Sequence, residues 1–426
     1  MLGLYNTVLL PLRAATTLWA AWDARREGRA REWDERRARV VPAIRGGGLW
    51  IHGASVGEAR LVALVVDVVR SRRPELAIAA SATTRTGRGQ LPAPPRVDAA
   101  FFAPLDFPGY PGRLLDAVRP GVLALVETEL WPNLLHAAAE RAVPTVLVNG
   151  RLSPERMSRY RRLKRLYRPL LAGLSRVGAQ TARDGERLIE MGVREQALVV
   201  TGNIKYDLPA PAVEVHRLRS RFGLAPERPV VAAGSTANGE DGAVIDAFLE
   251  TRRTCPDLFL ILAPRHPERA DDVAREAQVR GVRLHRMSSG DDARAGRSDG
   301  LLVDVVGELA ALYALARAAF VGGSLVPIGG HNVLEPAAVG VPVLFGPHTH
   351  HVTEPVDSLL AAGGARRVGS AGDLAAAWIR LLADDVRRET MARKAAVVIE
   401  SNRGALERSV ALILGALDSQ PPVPAT

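Results

Sequence analysis

The 426-residue chain contains a single cysteine, Cys255, which excludes a disulfide scaffold and a multi-cysteine zinc or iron–sulfur centre. Aromatic residues make up only 5%, too few for a stacking platform along single-stranded nucleic acid. No convincing Asp-x-Asp metal site stands in the sequence. A long apolar run free of charge and proline is missing too. Residues 2–22 are mostly apolar, but Pro11 and Arg13 fall in the middle. An arginine at the centre of a bilayer and a proline inside a helix are both costly. No small-residue cleavage site follows a short apolar core, which argues against a cleaved signal peptide.

What is present is globular: 47% hydrophobic and 24% charged residues over 426 positions, the size of two or three domains. The 56 basic and 46 acidic residues leave a net charge of +10, which favours anionic partners, although a genome-wide arginine bias accounts for it equally well. The apolar start runs into DARREGRAREWDERRAR, and Trp19, Trp22 and Trp33 stand among its arginines. That pattern reads as an anchor lying on an anionic leaflet; the alternative is a helix packed on the body of the protein.

From Gly48, short apolar runs alternate with amphipathic stretches. LWIHGAS, LAIAASATT, GVLALVETE, TVLVNGR and VGAQT read as buried strands of one parallel sheet wrapped by helices. PVVAAGST, LFLILAP, GLLVDVVG, AFVGGS and PVLFGP form a second series. The expected organisation is a membrane-associated segment at 1–45, a Rossmann-like domain at 46–207, a proline-rich connection at 208–228, and a second Rossmann-like domain at 229–385. Helices at 386–418 are expected to pack back on the first domain, and the tail SQPPVPAT to fray. Ligands of open α/β sheets bind beyond the carboxyl ends of the strands, so the informative residues are those that follow each strand.

The richest segment is AFVGGSLVPIGGHNVLEPAAVGVPVLFGP at 319–347. Its glycines would let backbone N–H groups approach an anion, and a helix opens near Leu334-Glu335-Pro336. Glu335 is placed to accept from ribose hydroxyls. Arg265, after LFLILA, can hold a phosphate oxygen as a fixed cation; Gly307-Glu308 ends a further strand at the cleft edge, and Ser235-Thr236 ends another with hydroxyls and N–H groups that can also hold phosphate. In the first half, Glu58 lies in the first helical turn after HGASVG, where a carboxylate can serve as general base or simply satisfy the helix dipole. Glu127 and Glu129 follow the buried run VLALV, and Lys205 lies in GNIKYD. RMSRYRRLKRLYRPL at 156–170 is a basic amphipathic helix, either a contact for a membrane or anionic substrate or a solvated face over core residues.

HGASVGE, ETELWPN, NGRLSPERMSRY, GNIKYD, PRHPER, VGEL and GGSLVPIGGHNVLEPA follow one another over nearly the whole chain. In this the sequence resembles the bacterial 3-deoxy-D-manno-octulosonic acid (Kdo) transferases. The resemblance implies an α/β protein of GT-B fold, with two doubly wound Rossmann-like domains facing a central cleft and an apolar membrane-anchoring helix at the N-terminus. It also implies inverting, metal-independent transfer of Kdo from CMP-Kdo to a phosphorylated lipid A precursor, with no cofactor beyond the donor and no nucleic-acid partner. The site of action would be the cytoplasmic face of the inner membrane, an anionic surface.

By the same resemblance Glu58 is the base, assisted by Glu127 or Glu129 and by Lys205. CMP contacts fall on Pro264, Arg265, Val306, Gly307, Glu308, Asn332, Val333, Leu334 and Glu335. The chain departs from the family pattern at Ala237-Asn238, where a histidine and an acid are common, in TTRTGRG, which lacks the usual proline, and at His350-His351, where an asparagine is common. Rival readings are another GT-B nucleotide-sugar enzyme, such as a UDP-sugar transferase or epimerase, and a non-catalytic basic protein drawn to membranes or nucleic acid.

Overall fold

A computed structural model describes residues 1–419, apart from the side chains at 154–156 and 159. The chain divides into two compact units. One comprises Met1–Leu208 and the segment that begins at Arg403; the other is Pro209–Asn402.

The first unit is built on a seven-stranded parallel sheet: β1 (Leu49–His52), β2 (Ile78–Ala82), β3 (Ala99–Phe102), β4 (Val122–Val126), β5 (Thr145–Gly150), β6 (Arg176–Ala179) and β7 (Leu198–Val200). Their order is β3-β2-β1-β4-β5-β6-β7. Every residue of β1, β4 and β5 is buried, as expected of a parallel sheet covered on both faces. Successive side chains alternate between the two cores: Leu49 and Ile51 join Val122, Ala124 and Val126 on one face, whereas Trp50 joins Leu123 and Leu125 on the other.

The helix Val56–Arg72 shows how the covering layer forms. It buries Ala59, Leu61, Val62, Val65, Val66 and Val69 at helical spacing, and Ser55 caps its start. A cap contributes about 1 kcal/mol, whereas each buried Val or Leu contributes about 1.5–3 kcal/mol. Packing therefore positions this helix, and the acidic residue in its first turn is free to serve another purpose.

The second unit repeats the architecture with β8 (Val230–Thr236), β9 (Phe259–Pro264), β10 (Leu284–Arg286), β11 (Gly300–Leu302), β12 (Ala318–Val321), β13 (Val343–Phe345) and β14 (Ala365–Arg367). These strands are all parallel, in the order β10-β11-β9-β8-β12-β13-β14. Val231 and Ala233 face one core and Val230 and Ala232 the other.

Residues 208–228 carry the helix Val215–Arg221 and bury Phe222 and Leu224 in the second unit. Of the C-terminal helices, Asp385–Asn402 belongs to the second unit. Ala405–Asp418 packs on the first, adding Val410, Ile413 and Leu414 to its core. Asp207 fastens that return by accepting from the backbone N–H groups of Gly404 and Leu406, both at 2.7 Å. The tail expected to fray lies, from residue 420 on, outside the described residues.

The N-terminal helix Leu2–Glu27 is held within the first unit by polar and aromatic contacts, among them Trp19 edge-to-face on Trp33. Tyr5 donates to Asp106 at 3.0 Å, Asn133 donates to Asn6 at 2.8 Å, and the Trp33 indole donates to Asp23 at 2.8 Å. Leu4, Val8, Leu10, Leu12, Leu18, Trp19 and Trp22 remain exposed. Among the described residues no helix is long and apolar enough to cross a membrane.

Candidate active site

Strand order locates the functional ends of both units. In the first sheet the order reverses between β1 and β4; in the second it reverses between β8 and β12. Crevices at such switch points, at the carboxyl ends of the strands, are where α/β sheets hold ligands.

At the first switch point β1 gives way to Gly53-Ala54-Ser55 and then to the helix that carries Glu58. A Cβ on Gly53 would lie 2.9 Å from that of Glu58, so the turn needs glycine there. Ser55 Oγ accepts from the Glu58 backbone N–H at 3.4 Å and donates to Glu58 Oε1 at 2.9 Å, while the Ala54 N–H donates to Oε2 at 2.6 Å. This resembles a capping box, except that the carboxylate reaches the amide before the cap residue and so turns towards the end of β1. Burial pushes the Glu58 carboxyl up to about 7, and the charges of Glu127 and Glu129 push in the same direction.

Across the switch point β4 ends at Val126, and Glu127 follows with φ of 63°. A left-handed backbone is costly for a residue with a Cβ and is found where surrounding structure enforces it. Here the Glu127 N–H donates to Val148 O, and the Lys205 ammonium lies 2.8 Å from Oε1. Lys205 is held in the short turn Ile204–Asp207, where Asn203 Oδ1 accepts from its N–H and Asn149 Oδ1 accepts from that of Ile204. Glu129 accepts from the Trp131 indole at 2.8 Å and lies 3.9 Å from His52 Nε2. Burial pushes His52 down to about 4, so its ring is neutral at physiological pH. The first unit thus gathers all four residues read as catalytic, Glu58, Glu127, Glu129 and Lys205, and adds His52 and Asn149. His52, the last residue of a buried strand before a small-residue turn, carried a readable signal, and so did Asn149, which opens the motif NGRLSPERMSRY at the end of β5.

At the second switch point the glycine segment behaves differently from expectation. Its amides were expected to face a ligand anion; instead they bond within the protein. Glu240, with 0% exposure, accepts from the N–H groups of Gly323 at 2.6 Å, Ser324 at 2.8 Å and Leu325 at 2.7 Å, and also from Ala237 at 2.8 Å. The Gly329 and Gly330 amides donate to Gly323 O. The glycines serve close approach: a Cβ on Gly322 would lie 2.6 Å from Thr236 Cα, and one on Gly323 2.8 Å from the His331 ring. Thr236, expected to offer its hydroxyl to phosphate, is buried and donates to Asp241 at 2.7 Å.

Pro264 ends β9, and the exposed Arg265 follows with its backbone N–H on Thr236 O. His331 is pushed down to about 4 by burial and by the charge of Arg265. Asn332 donates to Glu335 at 3.3 Å and accepts from the Leu334 N–H; Val333 is buried just before the short helix Leu334–Ala338. Val306 is exposed, Gly307 has φ of 102°, and Glu308 pairs with Arg221 at 3.2 Å. Of the nine residues read as nucleotide contacts, Pro264 is the last of β9 and the other eight follow the carboxyl ends of β9, β11 and β12. Glu240 was missed, because three of its four donors lie 83 to 85 positions away.

The family profile described as 3-deoxy-D-manno-octulosonic-acid transferase (kdotransferase) matches residues 29–208. A 3-deoxy-D-manno-octulosonic acid transferase of Bordetella pertussis is 35% identical over 96% of this chain and 97% of its own length. One of Haemophilus influenzae is 35% identical over 86% of each. Among solved structures, a glycosyltransferase of Rickettsia africae superposes with a TM-score of 0.59 at 12% identity, covering 88% of this chain and 99% of that one, a likeness of fold. The chain belongs to the 3-deoxy-D-manno-octulosonic acid transferase family of glycosyltransferases.

Proposed function

We propose that the protein transfers Kdo from CMP-Kdo, with inversion, to a hydroxyl of a phosphorylated lipid A precursor in lipopolysaccharide core biosynthesis. The observation that carries this reading, beyond the family, is the Glu58 carboxyl. It stands at the switch point of its sheet, beside two further acids, with a proton affinity near neutrality.

In this reading the Glu58 carboxylate takes the proton of the acceptor hydroxyl as its oxygen bonds to the anomeric carbon of Kdo. The bond from that carbon to the phosphate oxygen of CMP breaks, and its electron pair leaves with CMP. Positive charge that builds on the sugar is offset by Glu127 and Glu129, and Lys205 orients Glu127. Arg265 meets the departing phosphate, and Asn332 and Glu335 hold the nucleoside, with Pro264, Val306, Gly307, Glu308, Val333 and Leu334 shaping its seat. A monophosphate leaving group carries less charge than a diphosphate, so side-chain cations suffice without a metal.

The N-terminal helix supports work at a lipid surface. Its exposed leucines and tryptophans, with Arg25 and Arg26 in the last turn, suit a helix lying in the headgroup region of an anionic leaflet. In this reading the protein works on the cytoplasmic face of the inner membrane, where its nucleotide-sugar donor would be met. Incubation with CMP-Kdo and lipid IVA, followed by mass spectrometry, tests the whole reading. The acceptor is expected to gain the mass of one or more Kdo residues as CMP is released, and an unchanged acceptor would refute it.

A further inference from the structure

Beside the acidic segment after β4, the first unit contains a cavity of about 270 Å³. Leu130, Trp131, Tyr160, Leu163 and Tyr167 make its apolar wall, and Glu129 is the carboxylate in its lining. The Tyr160 and Tyr167 rings meet edge to face with centroids 4.7 Å apart. Trp131 and Leu163 are 40% and 41% exposed, so part of this wall faces water. The volume falls just below the roughly 300–1,000 Å³ of sites that enclose a whole small ligand; it suits the end of a chain.

Two polar side chains of the lining, Thr128 and Glu129, are already engaged within the protein. Thr128 donates its hydroxyl to Arg151 O, and Glu129 accepts from the Trp131 indole. A sugar would find few partners here, whereas hydrocarbon needs none.

The segment that frames the cavity, with helices Pro154–Arg162 and Lys164–Ala172, also carries the exposed cations Arg161, Arg162, Arg165 and Arg168. Arg161 is engaged by Glu190 at 2.8 Å, but Arg162, Arg165 and Arg168 form no ion pair among the described residues. Apolar wall and unneutralised cations on one pair of helices complement a molecule that joins hydrocarbon to phosphate. The cavity also adjoins the candidate chemistry, because Glu129 both lines it and acts on Glu58 through its charge.

We propose that this cavity receives the end of an acyl chain of the phosphorylated glycolipid acceptor, while Arg162, Arg165 and Arg168 take a phosphate of the same molecule. The identity of the acceptor rests on the Kdo-transfer reading; the capture of an alkyl phosphate does not. Bound in this way, the lipid delivers its hydroxyl to Glu58 already oriented, and acceptors are discriminated by their acyl portion as well as their sugar.

Two measurements on the full chain test the assignment, with Leu163→Asp as the variant because Leu163 is partly exposed. The first compares acylated and fully deacylated phosphorylated acceptors. Leu163→Asp is expected to raise KM for the acylated acceptor about tenfold, with kcat, KM for CMP-Kdo and KM for the deacylated acceptor unchanged. Equal KM values for wild type and variant on the acylated acceptor, or an equal loss on both acceptors, would overturn the proposal.

The second measurement needs no turnover. Monomeric decyl phosphate is expected to shift tryptophan fluorescence saturably. The affinity should fall about tenfold in Leu163→Asp, the signal should vanish in Trp131→Phe, and inorganic phosphate should not reproduce it. Unchanged binding in Leu163→Asp would overturn the proposal. Leu163-dependent binding of decyl phosphate in a chain that forms no Kdo product would support the cavity assignment and refute the transfer reading, so the two fail separately.

Discussion

The Lys205 ammonium reaches Glu127, 2.8 Å away, from a turn 78 positions further along the chain. The Glu127 backbone is held in a left-handed conformation that most residues avoid. Removing the cation takes the compensating positive charge away from a largely buried carboxylate, which costs more than the pair is worth when intact. Lys205→Met is expected to lower turnover about 10–100-fold and to lower Tm. Adding Glu127→Gln should restore Tm while activity stays low. Recovery of activity in the double variant would show that the pair only serves folding.

Glu58→Gln keeps the shape of the side chain and removes the base. Turnover should fall about 100-fold or more, while CMP-Kdo binding, followed by calorimetry, stays within about twofold. Near-normal turnover would move the proton transfer to another group.

The pH dependence follows from the same carboxyl. Its proton affinity is raised from the ordinary 4.5 to about 7, and the base must be ionised to act, so kcat/KM should rise with pH and level off above pH 7. Glu127→Gln removes a neighbouring negative charge, so the acidic limb should move to lower pH. Stability runs the opposite way. A raised value means that the fold favours the protonated form, whose contribution is complete below pH 4.5 and lost as pH rises through 7. Glu58→Gln stays neutral, so its Tm should exceed that of wild type by about 2–4 °C per kcal/mol regained at pH 8, and the gap should close towards pH 4.5. A gap that does not change with pH would separate Glu58 from the effect.

Glu240 organises the second switch point by accepting four backbone N–H groups while fully buried. Glu240→Gln turns an amide donor towards those donors. Loss of charge-assisted hydrogen bonds is worth about 1.5–3 kcal/mol each, so a marked fall in stability is expected, together with weaker CMP binding. Unchanged CMP affinity in a folded variant would limit Glu240 to a structural part.

Leu18 and Trp22 are 75% and 51% exposed on the N-terminal helix. Replacing both by Asp should shift the protein from membrane to soluble fractions and leave its activity on detergent-dispersed acceptor within about twofold. Unchanged fractionation would remove the helix as an anchor.

Sequence reading located ten of the strands as apolar runs, because these are central strands buried on both faces. β3, β7, β10 and β14 escaped it, and each lies at a sheet edge. Edge strands are short and half covered: Val199 and Val200 of β7 are exposed, and β14 is Ala-Arg-Arg. The acids and Lys205 were legible because each directly follows a strand or sits in a distinctive short motif. What stayed hidden depends on contacts distant in sequence: the burial that tunes Glu58, the grip of Glu240 on the glycine segment, and the internal use of its amides. Glycine pairs after a strand announce a close approach without saying whether ligand or protein makes it.

The helix Ala405–Asp418 supplies side chains to a core otherwise built from the first 208 residues. On the ribosome that core stays incomplete until translation has passed the entire second unit. A nascent chain released near Asn402 would leave the faces meant for Val410 and Ile413 open to water, an aggregation-prone species. Synthesis thus reserves a competent carboxylate site for chains that have been extended through the helix Ala405–Asp418.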